Sequence, residues 1–297
     1  MYDVVLLTDH RYLKDSYPDE YSTNVITEDN LVKVALENEG LKVYRTNWDN
    51  TKFDWTSTKS ILFRTTWDYF NRYSEFSRWL DYVSTKTMVI NPTQLIRWNV
   101  DKHYLRDLQS KGVAVVPTYF IEPGETRTLK ECVRAAGWGN AILKPAISGA
   151  ARHTYKLNAN NITEHEAIFT QLIAEEAMLL QPFLTNILSK GEVAHMVMGG
   201  KYTHSVLKRA KPGDFRVQDD FGGTIHDYHP NAAEIKFIEN VMSKIDPIPA
   251  YGRVDVIWDN DDNLVVSELE LIEPELWFRR NHSAAESLAQ TVRRYFN

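Results

Sequence analysis

The sequence predicts a mixed α/β and α+β protein, and three observations carry this prediction. Its first part alternates short apolar strands with amphipathic helices, the pattern of a parallel sheet. Later strands come in pairs joined by tight turns, as in antiparallel sheets. The chain has 297 residues, more than one minimal core needs, so two or three packed lobes are expected. The predicted lobes are residues 1–95, 96–180 and 181–297.

The N-terminal lobe is predicted from its order of elements. The run from Val4 to Leu7 is a short apolar strand, and TEDNLVKVALENEG predicts a helix capped by Thr27 and ended at Gly40. The strand-like segments LKVYRTN, SILFRTT and MVIN follow, with the amphipathic YSEFSRWLDYV before the last of them. This order indicates a small parallel sheet with helices packed against it.

The rest of the chain is predicted to be α+β. Two helical patterns end at Gly112, and the strand-like VVPTYFI follows. AILKPA and MLLQPF then predict strands on either side of the helix TEHEAIFTQLIAEE, and two further strands meet at Gly199-Gly200. The C-terminal third predicts the helix AAEIKFIENVMSKI, the strands YGRVDVIWD and NLVVSELELI, and a closing helix from Ser283.

Composition narrows the class of partner. The net charge of −6 and the sequence pI near 5.9 give no electrostatic reason to expect nucleic acid or an anionic membrane, which leaves a small molecule. No stretch approaches the ~20 apolar residues of a membrane span and no signal peptide is recognisable, so a cytoplasmic protein is expected. Cys132 is the single cysteine and is expected to pack within a helix. A homodimer is compatible with the sequence.

Three carboxylates form the strongest local signal. Glu268 and Glu270 alternate on one strand, so both point to the same face, and Asp255 lies in the preceding strand. A hairpin would bring the three together, and Mg²⁺ prefers such oxygen ligands. The alternative is an edge strand with a solvated acidic face. Apolar neighbours such as Val266 and Leu269 favour a buried face, and hence the metal.

Two lysines predict a phosphate site. Lys144 lies inside the apolar strand AILKPA, where an ammonium group needs an anion. Lys102 follows a helix-capping stretch, and taken alone it would be assigned as an ordinary surface lysine of a helix. After Lys144 the small residues of ISGAARHTY could form a flap over phosphates, although the same composition is common in turns. The predicted flap residues are Ser148, Gly149, Ala150 and Ala151.

The segment KRAKPGDFRVQDDFGG supplies candidate catalytic residues. Arg209 and Arg216 flank a Pro-Gly turn and Gln218 follows, and arginine stabilises the charge on a transferred phosphoryl group. The alternative is a solvated hairpin tip, in which Asp219 and Asp220 would be salt-bridge partners of the arginines.

The segment FRTTWDY supplies candidate substrate contacts. Arg64, Trp67 and Asp68 lie at the carboxyl end of a predicted strand, where open α/β sheets bind ligands. The alternative for Trp67 is a place in the core. The histidines show no metal-ligand spacing and are given no role.

These residues, taken in order, resemble the ATP-grasp superfamily and within it the glutathione synthetase branch. Phrases such as FRTTWDY, INPTQLIRWNVDKHYL, VVPTYFIEPG, KPAISGAARHT and ELELIEPEL are similar to the O-ureido-D-serine cyclo-ligase group over nearly the full length. The resemblance implies an ATP-grasp fold, with a lid subdomain at 96–180 and a C-terminal subdomain at 181–297 enclosing ATP. Glutathione synthetases usually have Asn where this chain has Glu270, so glutathione is not the expected product.

The resemblance also implies roles for single residues. It places Lys102 and Lys144 on the phosphates of ATP, Glu192 on the ribose, and the flap from Ser148 to Ala151 over the phosphates. It implies magnesium binding by Asp255, Glu268 and Glu270, and it places near the γ-phosphate Arg209, Arg216 and Gln218. The segment that receives adenine would be Gln181, Pro182, Phe183 and Leu184.

The function implied is that of an ATP- and Mg²⁺-dependent carboxylate–amine ligase. It would act through an acyl phosphate on an amino-acid-like small molecule, with ring closure inside one molecule as one form of the reaction. Two alternatives stay open from the sequence. One is a small-molecule kinase on the same fold, and the other is a nucleotide-binding module without turnover.

Overall fold

A computed structural model describes residues 1–14, 17–149, 151–218 and 221–296. Its first sheet is parallel throughout, in the order β2-β1-β3-β4, as the alternating pattern predicts. The helices α1 and α2 belong to this part of the chain. The elements are β1 (Tyr2–Thr8), α1 (Glu20–Asn38), β2 (Val43–Asn47), β3 (Thr58–Thr65), α2 (Tyr73–Ser84) and β4 (Met88–Ile90).

Helix α1 begins earlier than predicted. Its N-cap is Asp19, whose carboxylate accepts a hydrogen bond from the Ser22 backbone N–H at 2.7 Å. Thr27 was expected to be the cap, but it lies inside the helix and its hydroxyl donates to the Thr23 carbonyl. The first turns of this helix are mostly polar and show no helical periodicity of apolar residues, so they were not recognised in the sequence. The end is as predicted, because Gly40 adopts the left-handed conformation with φ of +78°.

The middle sheet is antiparallel, in the order β5-β8-β6-β7. It has a hydrophobic cluster of its own, built from its strands and two helices. Cys132 is fully buried there, as expected, and burial raises the pKa of its thiol. The elements are α3 (Thr93–Val100), α4 (Tyr104–Ser110), β5 (Tyr119–Ile121), α5 (Leu129–Ala136), β6 (Ala141–Pro145), β7 (Tyr155–Leu157), α6 (Glu166–Ile173) and β8 (Met178–Pro182).

The C-terminal sheet is also antiparallel, in the order β11-β10-β9-β12-β13. Its first hairpin turns at Gly199 and Gly200, whose φ angles of +56° and +80° are those of a turn that favours glycine. The elements are α7 (Asn186–Lys190), β9 (Glu192–Met198), β10 (Lys201–Arg209), β11 (Thr224–Tyr228), α8 (Ala232–Ser243), β12 (Tyr251–Trp258), β13 (Leu264–Glu270) and α9 (His282–Arg293).

The first and C-terminal sheets share one core. A single buried cluster contains Leu6 of β1, Leu36 of α1, Met196 of β9 and Leu288 of α9. No helix in the described ranges is both long and apolar enough to cross a membrane. Strand β8 ends at Pro182, just beyond the predicted lobe limit at 180, and the lobe limits themselves stay predictions.

Candidate active site

The acidic hairpin has the predicted geometry. Strands β12 and β13 are antiparallel neighbours, with Asp255 opposite Glu268 and Arg253 opposite Glu270. Because residues two apart on a strand share a face, Glu268 and Glu270 point the same way. The hairpin therefore gathers the three predicted carboxylates, together with an arginine that the sequence analysis did not single out.

Asp255 is neutralised by two cations rather than left for a metal. Arg253 donates from Nε to Oδ1 at 2.8 Å and from Nη2 to Oδ2 at 2.9 Å, and the Lys208 Nζ lies 2.8 Å from Oδ2. Burial alone would raise the pKa of Asp255, but these two positive charges lower it to about 2. With only 2% of its surface exposed, this carboxylate is occupied by the protein's own cations.

Glu268 joins the hairpin to the lysines of the middle segment. The Lys102 Nζ lies 3.0 Å from Glu268 Oε1 and donates to the Ser148 carbonyl at 2.6 Å. Lys144 projects from β6 into the same region; burial lowers the pKa of its ammonium group, and the charge of Glu268 acts against that shift. An anion that binds between Lys102 and Lys144 would therefore offset the free-energy cost of burying their positive charge.

Glu270 lies in a buried setting whose surrounding negative charge the neighbouring cations do not fully balance. It accepts a hydrogen bond from Arg253 Nη2. Burial first, and then the charges of Glu268 and Asp255, raise its pKa to about 7 despite that arginine. The side chains of Glu268 and Glu270 are 28% and 29% exposed, so both remain open to the cleft.

The three predicted metal ligands do not form one cluster. Within the described ranges no group of three or more His, Cys, Asp or Glu side chains is arranged to hold a metal ion. The reason is Arg253, which lies between Asp255 and Glu270 and binds both. The donor set that fits a divalent cation is Glu268 with Glu270, because these carboxylates share one face of the strand and are both partly open to the cleft.

Two adjoining cavities meet above the hairpin. The inner cavity, of about 220 Å³, is lined by Lys144 and by residues of β8 and β9, and the outer cavity, of about 820 Å³, lies against the first sheet and is lined by Trp67 and Arg72 among others. The residues that line both cavities are Lys102, Ser148, Gly149, Lys208, Val217, Gln218, Arg253, Glu268 and Glu270. The charged hairpin is thus the boundary between the two spaces.

The residues predicted to hold adenine and ribose line the inner cavity. The adenine candidates at the end of β8 are joined there by apolar side chains from other elements, and Glu192 lies at the start of β9. Gln181 donates from Nε2 to Thr118 at 2.9 Å. Glu192 pairs with Lys208 and accepts a hydrogen bond from the Ser267 hydroxyl at 2.9 Å. The lining residues of this end are Gln181, Pro182, Phe183, Leu184 and Glu192.

The predicted flap lies at the junction of the cavities. Ser148 and Gly149 line both, Ala151 lines the inner one, and Ala150 lies outside the described residues. A Cβ atom on Gly149 would lie 2.7 Å from the Phe70 ring, so the close approach requires glycine. Ala151 has a φ of +54°, which is costly for a residue with a side chain.

The three predicted catalytic residues are separated by the fold. Arg216 lines the inner cavity and pairs with Asp214 at 2.8 Å, and Gln218 lines both cavities with a buried Oε1 that has no partner among the described atoms. Arg209 does not line either cavity; it is exposed at the end of β10, where Nη1 donates to the Ser189 carbonyl at 2.9 Å. Strand alternation explains this, because Lys208 points inward and its neighbour must point outward.

Of the three predicted substrate contacts, two line the outer cavity and one does not. Trp67 and Asp68 line the outer cavity: Trp67 Nε1 donates to the Glu273 carbonyl at 2.8 Å, and Asp68 binds Arg72. Arg64 lies elsewhere. Its side chain is 1% exposed, and its Nε is 3.6 Å from Asp29 Oδ1. Buried against α1, Arg64 has no access to the outer cavity.

Comparison with known proteins finds similar sequences and structures. Residues 4–91 match the N-terminal domain of the D-cycloserine synthetase DcsG. The cycloserine biosynthesis protein DcsG of Streptomyces lavendulae is 25% identical over 276 residues, covering 87% of this chain and 90% of that protein. The crystal structure of a D-cycloserine synthetase DcsG superimposes with a TM-score of 0.85 at 25% identity, over 99% of both chains.

The chain has the ATP-grasp fold and is an ADP-forming ligase. More distant structures agree on the fold. A RimK-domain ATP-grasp protein from Sphaerobacter thermophilus has a TM-score of 0.69 at 16% identity, covering 97% of this chain and 98% of its own. The D-alanine–D-alanine ligase of Bacillus anthracis has a TM-score of 0.69 at 13% identity, covering 99% and 97%. The predicted ATP-grasp fold and the relationship to the cyclo-ligase group are confirmed.

The sequence analysis did not single out three residues of the candidate site. Lys208 was passed over in favour of Arg209, although both belong to one strand. Arg253 lies two residues before Asp255 in YGRVDV and so shares its face, a signal that was available. Glu273 follows β13 in the phrase IEPEL and lines the outer cavity. Burial and the charge of Glu270 raise its pKa well above the ordinary value, although a hydrogen bond from Tyr69 acts to lower it.

Proposed function

We propose that this ligase activates the carboxylate of an amino-acid-like small molecule as an acyl phosphate and then closes it onto an amine of the same molecule. The observation that carries the proposal is the shared wall of the two cavities. Lys102, Arg253, Glu268 and Glu270 face both spaces, so a phosphoryl donor on one side and a carboxylate on the other would meet at the same charged groups.

The inner cavity suits the nucleotide. Its far end is apolar, with Phe183, Leu184 and Ile257, and this surface can cover a purine ring. Its near end holds the ammonium groups of Lys102 and Lys144, which can bind a triphosphate. The flap at Ser148 and Gly149 lies above that end and can exclude water.

Glu268 and Glu270 are the residues that would hold magnesium. A bound divalent cation would neutralise charge on the phosphates and on the leaving group during transfer. Arg253 keeps Glu270 oriented, and Lys208 together with Arg253 keeps Asp255 charged and in place beneath them. In this arrangement Asp255 supports the site instead of ligating the metal, which differs from the role that the resemblance implies.

The reaction needs two group transfers at this wall, first of a phosphoryl group and then of an acyl group. A substrate carboxylate oxygen attacks the γ-phosphorus, the bond to the β,γ-bridging oxygen breaks, and ADP leaves. The amine nitrogen then attacks the acyl carbon, the carbon–oxygen bond to phosphate breaks, and the nitrogen loses a proton. Lys102 and Arg253 are placed to stabilise negative charge in both steps, so positioning and charge neutralisation supply the catalysis.

Ring closure is the form that the relatives favour. The matched family and the similar crystal structure are named for D-cycloserine synthesis, and the outer cavity is lined by aromatic side chains such as Trp67 and Phe70 from the N-terminal part of the chain. The ATP-grasp ligase PsnB, by contrast, has been solved with a precursor peptide, and it resembles this chain in fold only.

The test is a phosphate-release assay with ATP, Mg²⁺ and O-ureido-D-serine, followed by mass spectrometry of the product. We expect ADP and free phosphate in equal amounts with a cyclised product. The matched control is the methyl ester of the same compound, which lacks the attacking carboxylate and should release no phosphate. A stable phosphorylated product would indicate a kinase. No turnover with any amino acid or related acid would indicate a nucleotide-binding module.

A further inference from the structure

Charged side chains on the wall of the outer cavity are almost all paired. Each Asp, Glu, Lys and Arg of the described residues that lines it has an ion-pair partner, with one exception. Examples are the pairs of Arg72 with Asp68, Arg152 with Glu176 and Glu275 with Arg279. The exception is Glu273, which forms no ion pair within the described part of the chain.

Glu273 is nevertheless held in a defined position. Tyr69, which is buried, hydrogen-bonds to its side chain. The backbone carbonyl of Glu273 accepts a hydrogen bond from Trp67 Nε1 at 2.8 Å. The backbone N–H of Glu273 also hydrogen-bonds to this carboxylate. Two donors do not satisfy a carboxylate, whose two oxygens offer about four acceptor positions. The remaining positions are therefore available to a ligand in the cavity.

The location of Glu273 excludes the nucleotide as that ligand. Glu273 lines the outer cavity and is not part of the inner cavity, where Lys102 and Lys144 can receive phosphates. A carboxylate would also repel a triphosphate. A cationic group entering from the side of the first sheet, where the proposed substrate would bind, would stabilise the charged carboxylate that burial and Glu270 disfavour.

The aromatic wall around Glu273 also suits a cation. Trp67 packs edge-on against Tyr12, with ring centroids 6.0 Å apart, and Trp277 and Phe70 line the same cavity. Aromatic faces attract ammonium groups that have lost part of their water shell. A carboxylate surrounded by such rings is a common chemical arrangement for recognising a protonated amine.

We propose that Glu273, positioned by Tyr69 and Trp67, binds the protonated α-amine of the substrate and makes the ligase selective for amino acids over the corresponding acids without an amine. The inference rests on the proposed function, since it assumes that the outer cavity holds the substrate carboxylate. The amine bound here is not the nucleophile. It is bonded to the same carbon as the reacting carboxylate, so holding it orients that carboxylate toward the shared wall.

The experiment compares matched pairs of acids that differ only in the amine. The pairs are O-ureido-D-serine with 3-(ureidooxy)propanoic acid, and D-serine with 3-hydroxypropanoic acid. Calorimetry on the ADP- and Mg²⁺-loaded protein measures Kd for each member, and phosphate release measures KM. In the wild type we expect at least one amine to bind about tenfold or more tighter than its counterpart, because one hydrogen-bonded ion pair supplies that preference.

Three variants locate the source of the preference. Glu273→Gln should reduce the preference to about threefold or less while the KM for ATP stays unchanged, since a neutral amide cannot pair with an ammonium group. Tyr69→Phe should reduce it partly. Glu275→Gln is the matched control, because its carboxylate lines the same cavity but pairs with Arg279; there the ratio should stay as in the wild type.

The outcomes separate this inference from the proposed function. Equal binding of amines and their counterparts, or no binding of any amine, overturns the inference, as does an undiminished preference in Glu273→Gln. Phosphate release from both members of a pair at equal KM would sink the inference and leave the ligase activity standing. Selective amine binding through Glu273 without phosphate release would support the inference and count against the acyl-phosphate reaction.

Discussion

At the scale of single residues, strand alternation decides which side chains reach the site. Lys208 and Arg209 are adjacent in β10, yet Lys208 lies between Glu192 and Asp255 whereas Arg209 lies at the surface. The sequence shows two cations side by side and does not show which of them faces inward. Only the pairing of β10 with its neighbours fixes that choice.

We predict that Lys208→Met will abolish most turnover and weaken nucleotide binding, while Arg209→Met will change both by less than about twofold. Removing Lys208 leaves two carboxylates without their shared cation, and breaking a buried pair of this kind costs about 3 to 5 kcal/mol. Phosphate-release rates, calorimetry with ADP and melting curves measure the three effects. If Arg209→Met were the more damaging substitution, the assignment of these two residues would be reversed.

Arg64 is a second residue whose position in a strand was predicted correctly but whose surroundings were not. The sequence favoured substrate contact at a strand end, and the structure buries the guanidinium beside Asp29, which also pairs with Arg45 at 2.7 Å. Strand β3 presents alternate residues to opposite faces, and Arg64 falls on the face covered by α1. The strand end was predictable from sequence, but the face was not.

We predict that Arg64→Ala will lower the free energy of unfolding by about 3 kcal/mol, because it leaves Asp29 buried with less compensation. The KM values of the folded fraction should stay near those of the wild type. Urea denaturation gives the first quantity and phosphate release the second. Arg78→Ala, at an exposed position of α2, is the control and should change neither. A raised KM for the acid in a fully stable Arg64→Ala would restore the substrate role.

At the scale of elements, the β12–β13 hairpin was the most predictable part of the site. Alternating glutamates fix the face, and the turn-forming residues Asn260 to Asn263 fix the pairing, so the carboxylates meet as expected. Their neutralisation was predictable only in part: Arg253 shares the face of Asp255 on the same strand, but Lys208 and Lys102 arrive from elements distant in sequence. The negative charge that stays unpaired at the site is therefore smaller than the acidic residues alone suggest, and the metal site stays a prediction.

The flap offers a prediction at this scale. Gly149→Ala would place a Cβ atom 2.7 Å from the Phe70 ring, so either the flap or the ring must shift. We expect the KM for ATP to rise several-fold with little change in melting temperature. The double variant Gly149→Ala with Phe70→Ala should recover most of the loss, because the two sites are in contact and their effects are not additive. Equal defects in the single and double variants would show that the contact is not the cause.

At the scale of the whole molecule, the sequence predicted three lobes but not how they are joined. The first and C-terminal sheets are fused through α1 and α9 into one hydrophobic cluster, whereas the middle sheet has its own cluster around β6, β8 and α6. Residues from the first sheet, such as Trp67, therefore form a wall of the same cavity as Glu270. Such long-range packing depends on surface complementarity, which no periodicity within one segment reveals.

The last prediction concerns acid stability and rests on His195. This residue is fully buried at the centre of the C-terminal sheet, where its Nδ1 lies 2.7 Å from the Ser205 hydroxyl and its Nε2 has no partner among the described atoms. Burial lowers its pKa to about 4, although the charge of Asp255 acts in the opposite direction. The folded protein therefore keeps this imidazole neutral at pH values where an unfolded chain would protonate it.

The difference in the pKa of His195 between the folded and unfolded states determines how stability changes with pH. Above the ordinary histidine pKa of about 6.5 neither state binds the proton, and the contribution of His195 to stability is fully present. As the pH falls from there toward 4, the unfolded chain takes up the proton and the folded chain does not, so the free energy of unfolding decreases by up to about 1.4 kcal/mol per pH unit. Urea denaturation at pH values from 7 to 4.5 should show a shallower loss in His195→Phe than in the wild type. His282→Gln, at an exposed position, should leave the slope unchanged. Parallel curves for His195→Phe and the wild type would mean that other groups cause the acid sensitivity.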